Sequence, residues 1–321
     1  MNFSSSTVNN ETDSCVLLSN FGSYIVYISV IISFLTICEC LVVISVTCLT
    51  KNVHGNTNVY VVSLAVNDLL LAIAFIGNNV FLLPFHLPLF VNSKMLLCLI
   101  SGLSSGTTNM SVVHLGVIAV DRYIQITYPF YYMKAMTKMR AYLVVLCLWL
   151  SCLIFIIIPP IVFYDDKYHR RCILIHQPFA YLIIQISSYF SSITLVFICY
   201  LKIAHVAFRH KRSTISRRFN SDVSQTDTSG TENIKAALRS VKFFLLMFGI
   251  LFICTFPPYV ATIFGLTYDI SDNFFTGFFT LVPIHSVINF LIYSYMNKDF
   301  SASLVKIFKE IKRRCQDNRY V

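Results

Sequence analysis

Gly116-Val117-Ile118-Ala119-Val120-Asp121-Arg122-Tyr123-Ile124 decides how this chain reads. An acid and a base stand side by side just after a run of apolar residues. Charge is costly in the middle of a bilayer, so such a pair at the end of a long apolar helix marks the level where hydrocarbon gives way to water. An isolated Asp-Arg-Tyr in a soluble protein would mean little. Here it closes the third of seven apolar stretches, and that context gives it weight.

The seven stretches run over 23–48, 57–83, 95–126, 141–163, 179–207, 236–265 and 274–296. Each approaches the roughly 20 residues a helix needs to cross a bilayer. Of the 321 residues 56% are hydrophobic and 12% charged, against roughly 25% charged in a soluble domain. Spans of a β-barrel would be shorter and would alternate in polarity. The fold class expected is all-α, a seven-transmembrane helix bundle followed by an amphipathic eighth helix on the cytoplasmic face.

The net charge of +10 invites a nucleic-acid reading, but its distribution argues against one. Of 25 Lys and Arg, only Lys94, Lys167, Arg170 and Arg171 fall on one side of the proposed membrane. The basic side is cytoplasmic by the positive-inside rule, which puts the N-terminus outside. Residues 1–22 form a polar extracellular tail with no apolar core, so no cleavable signal peptide is expected and the first span directs insertion. Asn2-Phe3-Ser4 and Asn10-Glu11-Thr12 are glycosylation acceptor patterns there. Asn109-Met110-Ser111 has the same pattern but lies within the membrane.

Beyond the bundle of 23–296, residues 297–321 place Leu304, Ile307, Phe308 and Ile311 at three-and-four spacing among lysines. That is the pattern of a helix lying on the membrane surface. Cys315 after it is a palmitoylation candidate. Most of the 11 cysteines fall inside spans; Cys15, Cys98 and Cys172 lie outside or at the outer boundary, where the compartment is oxidising and one disulfide is expected. No nucleotide loop, paired catalytic carboxylates, catalytic metal cluster or repeat is present, so no enzyme is expected. A transporter would show inverted repeats and broken mid-membrane helices.

Ionisable residues inside spans are functional by default. Glu39 lies deep in the first, as a working group or as a protonated acid bonded to a neighbouring helix. Asp68 lies in the second, and a carboxylate there needs a cation, a proton or hydrogen-bond donors.

Taken with Ser63-Leu64-Ala65-Val66-Asn67-Asp68-Leu69-Leu70, Trp149, Tyr200, Phe252-Ile253-Cys254-Thr255-Phe256-Pro257 and Asn289-Phe290-Leu291-Ile292-Tyr293, the Asp-Arg-Tyr stretch resembles the rhodopsin-like (class A) family of G-protein-coupled receptors over residues 23–311, as a divergent member. The resemblance implies a plasma-membrane receptor that binds an extracellular ligand in the outer half of the bundle and activates a heterotrimeric G protein. Asp121, Arg122, Tyr123, Tyr200, Pro257, Asn289 and Tyr293 would form the coupling and switching set. Receptor kinases and arrestin are further partners the family implies, besides membrane lipid.

By the same resemblance Asp68 with Ser111, Ser286 and Asn289 would hold a sodium ion, the alternative being a protonated, structural Asp68. No other cofactor is implied. Cys98 and Cys172 would form the disulfide that straps the second outer loop, although Cys98 stands one position closer to Arg122 than is usual and Cys15 is the other outside thiol. Ser104, Ser105, Thr108, Tyr189, Phe256, Tyr259 and His285 are candidates for the ligand pocket, with Ser104, Thr108, Tyr189, Tyr259 and His285 more readily read as helix-helix hydrogen bonders.

The departures from the pattern are specific. Ser104 and Ser105 stand where amine receptors place an Asp, and Pro283 where light-sensing relatives carry the retinal Lys. Thr255 replaces the hinge Trp, Phe290 the span-seven proline, Ser192 the span-five proline, and Glu39-Cys40 a Gly-Asn pair. Ala237 removes the acid that latches Arg122 in some relatives, which favours ligand-independent activity. These losses leave a second reading open, a signalling-poor or constitutively active receptor relative acting as scaffold or dimer partner.

Overall fold

The computed structural model describes residues 20–49, 56–82, 94–162, 179–220, 228–265, 268, 277–296 and 298–317. Among the described residues nine helices follow in order: α1 (Asn20–Leu49), α2 (Asn56–Leu82), α3 (Lys94–Thr127), α4 (Pro129–Ala135), α5 (Lys138–Val162), α6 (Phe179–Asn220), α7 (Thr228–Gly265), α8 (Ile284–Met296) and α9 (Lys298–Asp317). A helical segment at 277–280 and a turn at 281–283 lead into α8. No strand occurs among the described residues. The seven spans are α1, α2, α3, α5, α6, α7 and the 277–296 segment; α4 lies in the connection between the third and fourth.

Helix α3 is the axis, packed against α2, α5, α6 and α7. That position explains its composition. Ser101, Thr107, Asn109, Ser111 and His114 are all buried in protein, so their polar groups never meet lipid, which could not satisfy them. Helices α1, α2, α5, α6 and α7 are long and apolar enough to span a membrane by that criterion alone; α3 is not among them, and the apolar part of span seven, Gly277–Ile292, is short. Helices α1 and α5 instead turn residues such as Ile31, Phe34, Leu146 and Ile154 outward. At Gly106 a Cβ would meet Ile156 Cγ1 at 3.2 Å and the Cys152 carbonyl at 3.3 Å. A small residue is required where α3 and α5 come this close.

Three local features shape the spans. The 42 residues of α6 measure about 63 Å at 1.5 Å per residue, roughly twice the hydrocarbon thickness. The basic stretch Arg209–Arg218 therefore prolongs the fifth span as one helix, and the helix is unbroken at Ser192. Pro159 and Pro160 do not end α5, which continues to Val162, since proline's fixed φ is compatible with a last helical turn.

Span seven, by contrast, tightens at Pro283. The amides of Leu281, Val282 and Ile284 each bond the carbonyl three residues back, to Phe278, Phe279 and Leu281, all at 3.1 Å. This is the tighter 3₁₀ pattern. Thr280 and Val282 are buried there, so the irregular backbone sits inside protein, as a membrane requires.

Helix α9 packs on α1 and α8, burying Phe300 and Ser303 and exposing Lys306, Lys309 and Arg313. Asn2, Asn10, Cys15 and Cys172 lie outside the described residues, as do the side chains of Tyr293 and Cys315.

Candidate functional site

At the inner end of α3, Asp121 and Arg122 are 2% and 7% exposed. Arg122 Nη2 lies 3.4 Å from Asp121 Oδ2, and Nη1 donates to Gln125 Oε1 at 2.5 Å. Pro129 starts α4 at its first turn, where a missing amide costs nothing. That short helix brings Tyr132 back, so its hydroxyl donates to Asp121 Oδ1 at 2.9 Å. Tyr123 packs edge-on to Tyr128, centroids 6.4 Å apart, with the Lys202 ammonium 5.6 Å above its ring. Tyr200 from α6 is 7% exposed and packs against Phe248 of α7. A buried cation is thus held in place by an acid, an amide and the loop helix, beside the span-five tyrosine.

Halfway through the bundle a second cluster surrounds Asp68. The Ser111 hydroxyl donates to Asp68 Oδ1 at 3.3 Å, and Asn67 donates to Ser111 at 2.8 Å and to the Thr107 carbonyl at 3.0 Å. His285 Nε2 lies 3.8 Å from Asp68 Oδ1. The ring's Nδ1 bonds the Val282 carbonyl, so that nitrogen carries a proton. Nε2 meets the Ser286 hydroxyl at 3.3 Å. Asp68 also borders a cavity of about 40 Å³ lined by Glu39, Cys40, Asp68, Met247, Ser286 and Asn289 among others.

Of the residues expected to form a cation site, Asp68, Ser286 and Asn289 face this cavity, while Ser111 is spent on Asp68 and Asn67. Glu39 joins them, and both its carboxylate oxygens are buried without a hydrogen-bond partner. Among the described residues no group of three or more His, Cys, Asp or Glu converges as metal ligands.

The pocket candidates divide. His285 belongs to the Asp68 cluster. Thr108 bonds its own helix at the Ser104 carbonyl, and Ser105 is bonded to Tyr181. Tyr189, Phe256 and Tyr259 do come together. Tyr189 stacks on Tyr259 with centroids 3.9 Å apart and planes 16° from parallel, its hydroxyl 3.0 Å from that of Thr255. Phe256 stacks on Phe252 at 4.8 Å.

Residues that sequence reasoning passed over complete this layer. Asn109 donates to the Gln185 carbonyl at 3.2 Å, accepts from Ser188 at 2.9 Å and bonds Tyr259. A third hub ties spans two, three and four: Ser63 lies 2.8 Å from His114 Nε2 and accepts from Trp149 Nε1 at 3.2 Å, while His114 Nδ1 bonds the Met110 carbonyl. Asn79 joins α2 to α1 through Ser29 at 2.9 Å.

A buried arginine closing the central helix of a seven-span bundle is accompanied by a match of residues 39–293 to the profile described as 7 transmembrane receptor (rhodopsin family). The chain belongs to that rhodopsin-like receptor family. It is 27% identical to the 5-hydroxytryptamine receptor 1E of Cavia porcellus, over 87% of this chain and 91% of that receptor. It is 25% identical to the melanocortin receptor 5 of Rattus norvegicus, over 95% of this chain and 87% of that receptor. To the alpha-1A adrenergic receptor of Bos taurus it is 23% identical, over 87% of this chain and 66% of that receptor. This rhodopsin-like receptor is accordingly a multi-pass membrane protein of a class that signals through heterotrimeric G proteins, and is not an enzyme.

Proposed function

We propose that this receptor resides in the plasma membrane with its N-terminus outside, takes an extracellular ligand between the outer ends of its spans, and activates a G protein through Asp121, Arg122 and Tyr123. The observation that carries the reading is Arg122, buried at the inner end of α3 and tethered by Asp121 and Gln125. A cation removed from water in this way is costly, and tethers from a neighbour and a loop helix can be exchanged for a partner's groups. Tyr200 beside it supplies a further hydroxyl, and Pro257 in α7 leaves a carbonyl without its amide, so that the inner half of the helix can swing. Asn289 and Tyr293 complete the switching set. A ligand moves this equilibrium only by its differential affinity for the two states.

The aromatic layer of Tyr189, Phe256 and Tyr259 supports a ligand contact in the outer half, together with Ser104, Ser105 and Thr108. Relatives named for 5-hydroxytryptamine and for melanocortin lie at similar identity, so likeness does not choose the ligand class. With Ser104 in place of an acid, a protonated amine has no counter-ion in span three.

Asp68, Ser286 and Asn289 offer oxygen donors suited to a hard cation such as sodium, and the 40 Å³ cavity they line accommodates one ion. The tail 1–22 would carry glycans at Asn2 and Asn10. Cys98, buried against Tyr181, would pair with Cys172. Residues 297–321 would lie on the inner membrane face with palmitate at Cys315, and receptor kinases and arrestin would act from that side.

Thr255, Phe290 and Cys40, standing where the family has Trp, Pro and Asn, favour the second reading of a signalling-poor scaffold or dimer partner. Recruitment of a panel of heterotrimeric G proteins without added ligand, at surface density matched to an Arg122→Ala variant, separates the two. Recruitment by the parent alone supports the receptor; equal silence of both supports the scaffold.

A further inference from the structure

The cavity between α1, α2 and span seven contains two carboxylates and no basic residue among its lining groups. His285 is not among those lining groups: its Nδ1 donates to the Val282 carbonyl, and its Nε2 lies 3.3 Å from the Ser286 hydroxyl. Asp68 Oδ1 takes the Ser111 hydroxyl, whereas Oδ2 makes no hydrogen bond among the described residues. Both oxygens of Glu39 are buried and idle. Asn289 is 6% exposed, lines the same space, and neither end of its amide is bonded. A buried amide with both ends idle is a rarity, and buried carboxylates without partners are costly. Five oxygens therefore face the cavity unpartnered or free to coordinate: two of Glu39 and one each of Asp68, Ser286 and Asn289.

We propose that Glu39 and Asp68 together hold one divalent, oxygen-seeking cation of the calcium class, with Ser286 and Asn289 as further ligands. This rests on reading Asp68 as a cation holder, and adds that the carboxylate from span one changes which cation is preferred. Two carboxylates that ionise on binding match a divalent ion, where Asp68 alone would match sodium. Calcium takes six to eight oxygens in flexible geometry. The five protein oxygens plus the one or two waters that about 40 Å³ admits reach that number. Magnesium, which demands a regular octahedron and keeps several waters, fits less well.

The test uses full-length receptor in nanodiscs, its thermal unfolding midpoint titrated with calcium chloride, magnesium chloride, sodium chloride and choline chloride at matched ionic strength. The parent should show a saturable rise with calcium beyond the choline control and beyond magnesium. Glu39→Gln should weaken the calcium response at least about tenfold while keeping the sodium response, and Asp68→Asn should lose both. Radioactive calcium binding to the parent should reach one ion per receptor, displaced by sodium, which tests the idea even where a variant does not fold. A parent response no larger than choline's, or an unchanged calcium response in Glu39→Gln, overturns the inference. A sodium response that survives Asp68→Asn overturns the sodium reading instead.

Discussion

The Tyr189 hydroxyl of the fifth span meets the Thr255 hydroxyl of the sixth at 3.0 Å, with both groups fully buried. Tyr189 also stacks on Tyr259, one turn beyond Thr255 on α7. The polar bond and the stack together fasten α6 to α7 on either side of Phe256 and Pro257. Tyr189→Phe removes only the hydroxyl. Losing one buried hydrogen bond is worth about 1 kcal/mol, a factor of about five in an equilibrium. Ligand-free nucleotide exchange should rise by that factor if the bond favours the resting state, and an unchanged rate would show that the bond does not restrain α7.

Tyr132→Phe should act at the opposite end. It removes the hydroxyl that donates to Asp121 Oδ1, leaving a buried carboxylate with fewer donors and freeing α4 from α3. Ligand-free exchange should rise by a factor of a few, with surface expression maintained. A variant indistinguishable from the parent in exchange would mean that α4 does not steady the Asp121-Arg122 pair.

Ser63→Ala should cost stability rather than signalling. Ser63 is the shared partner of His114 and Trp149, so its loss leaves two buried polar groups unsatisfied at about 1–3 kcal/mol. The unfolding midpoint should fall by more than in Trp149→Phe, where Ser63 keeps its bond to His114. Trp149 is the single tryptophan, so a change in its emission reports the broken bond directly.

Sodium chloride should raise the unfolding midpoint of the parent above an equal concentration of choline chloride, and Asp68→Asn should abolish the difference. Ser111→Ala should weaken the effect less than Asn289→Ala, because Asn289 lines the cavity and Ser111 does not. The reverse order would move the cation to the α3 side.

The sequence made the inner site and the number of spans legible because each is a local pattern: a charge pair closing an apolar helix, and apolar runs of spanning length. Asp121 and Arg122 are buried and paired where the motif put them. Asn109, Gln185 and Ser188 were missed because a neutral polar residue in a span carries no signal until helix rotation decides whether it meets a partner. The same ignorance of rotation grouped His285 with Tyr189, although the tight turn at Pro283 directs it to Asp68. It also counted Ser111 among the cavity ligands and left Glu39 without a neighbour.

The account turns on Arg122 as the group through which the bundle reaches a G protein. Nucleotide exchange on purified heterotrimers by the parent and by Arg122→Ala, each in nanodiscs at equal receptor concentration, measures this most directly. The parent should accelerate exchange and Arg122→Ala should fall to the receptor-free rate while keeping the parent's unfolding midpoint within a few degrees. Full exchange by a folded Arg122→Ala receptor would contradict the account.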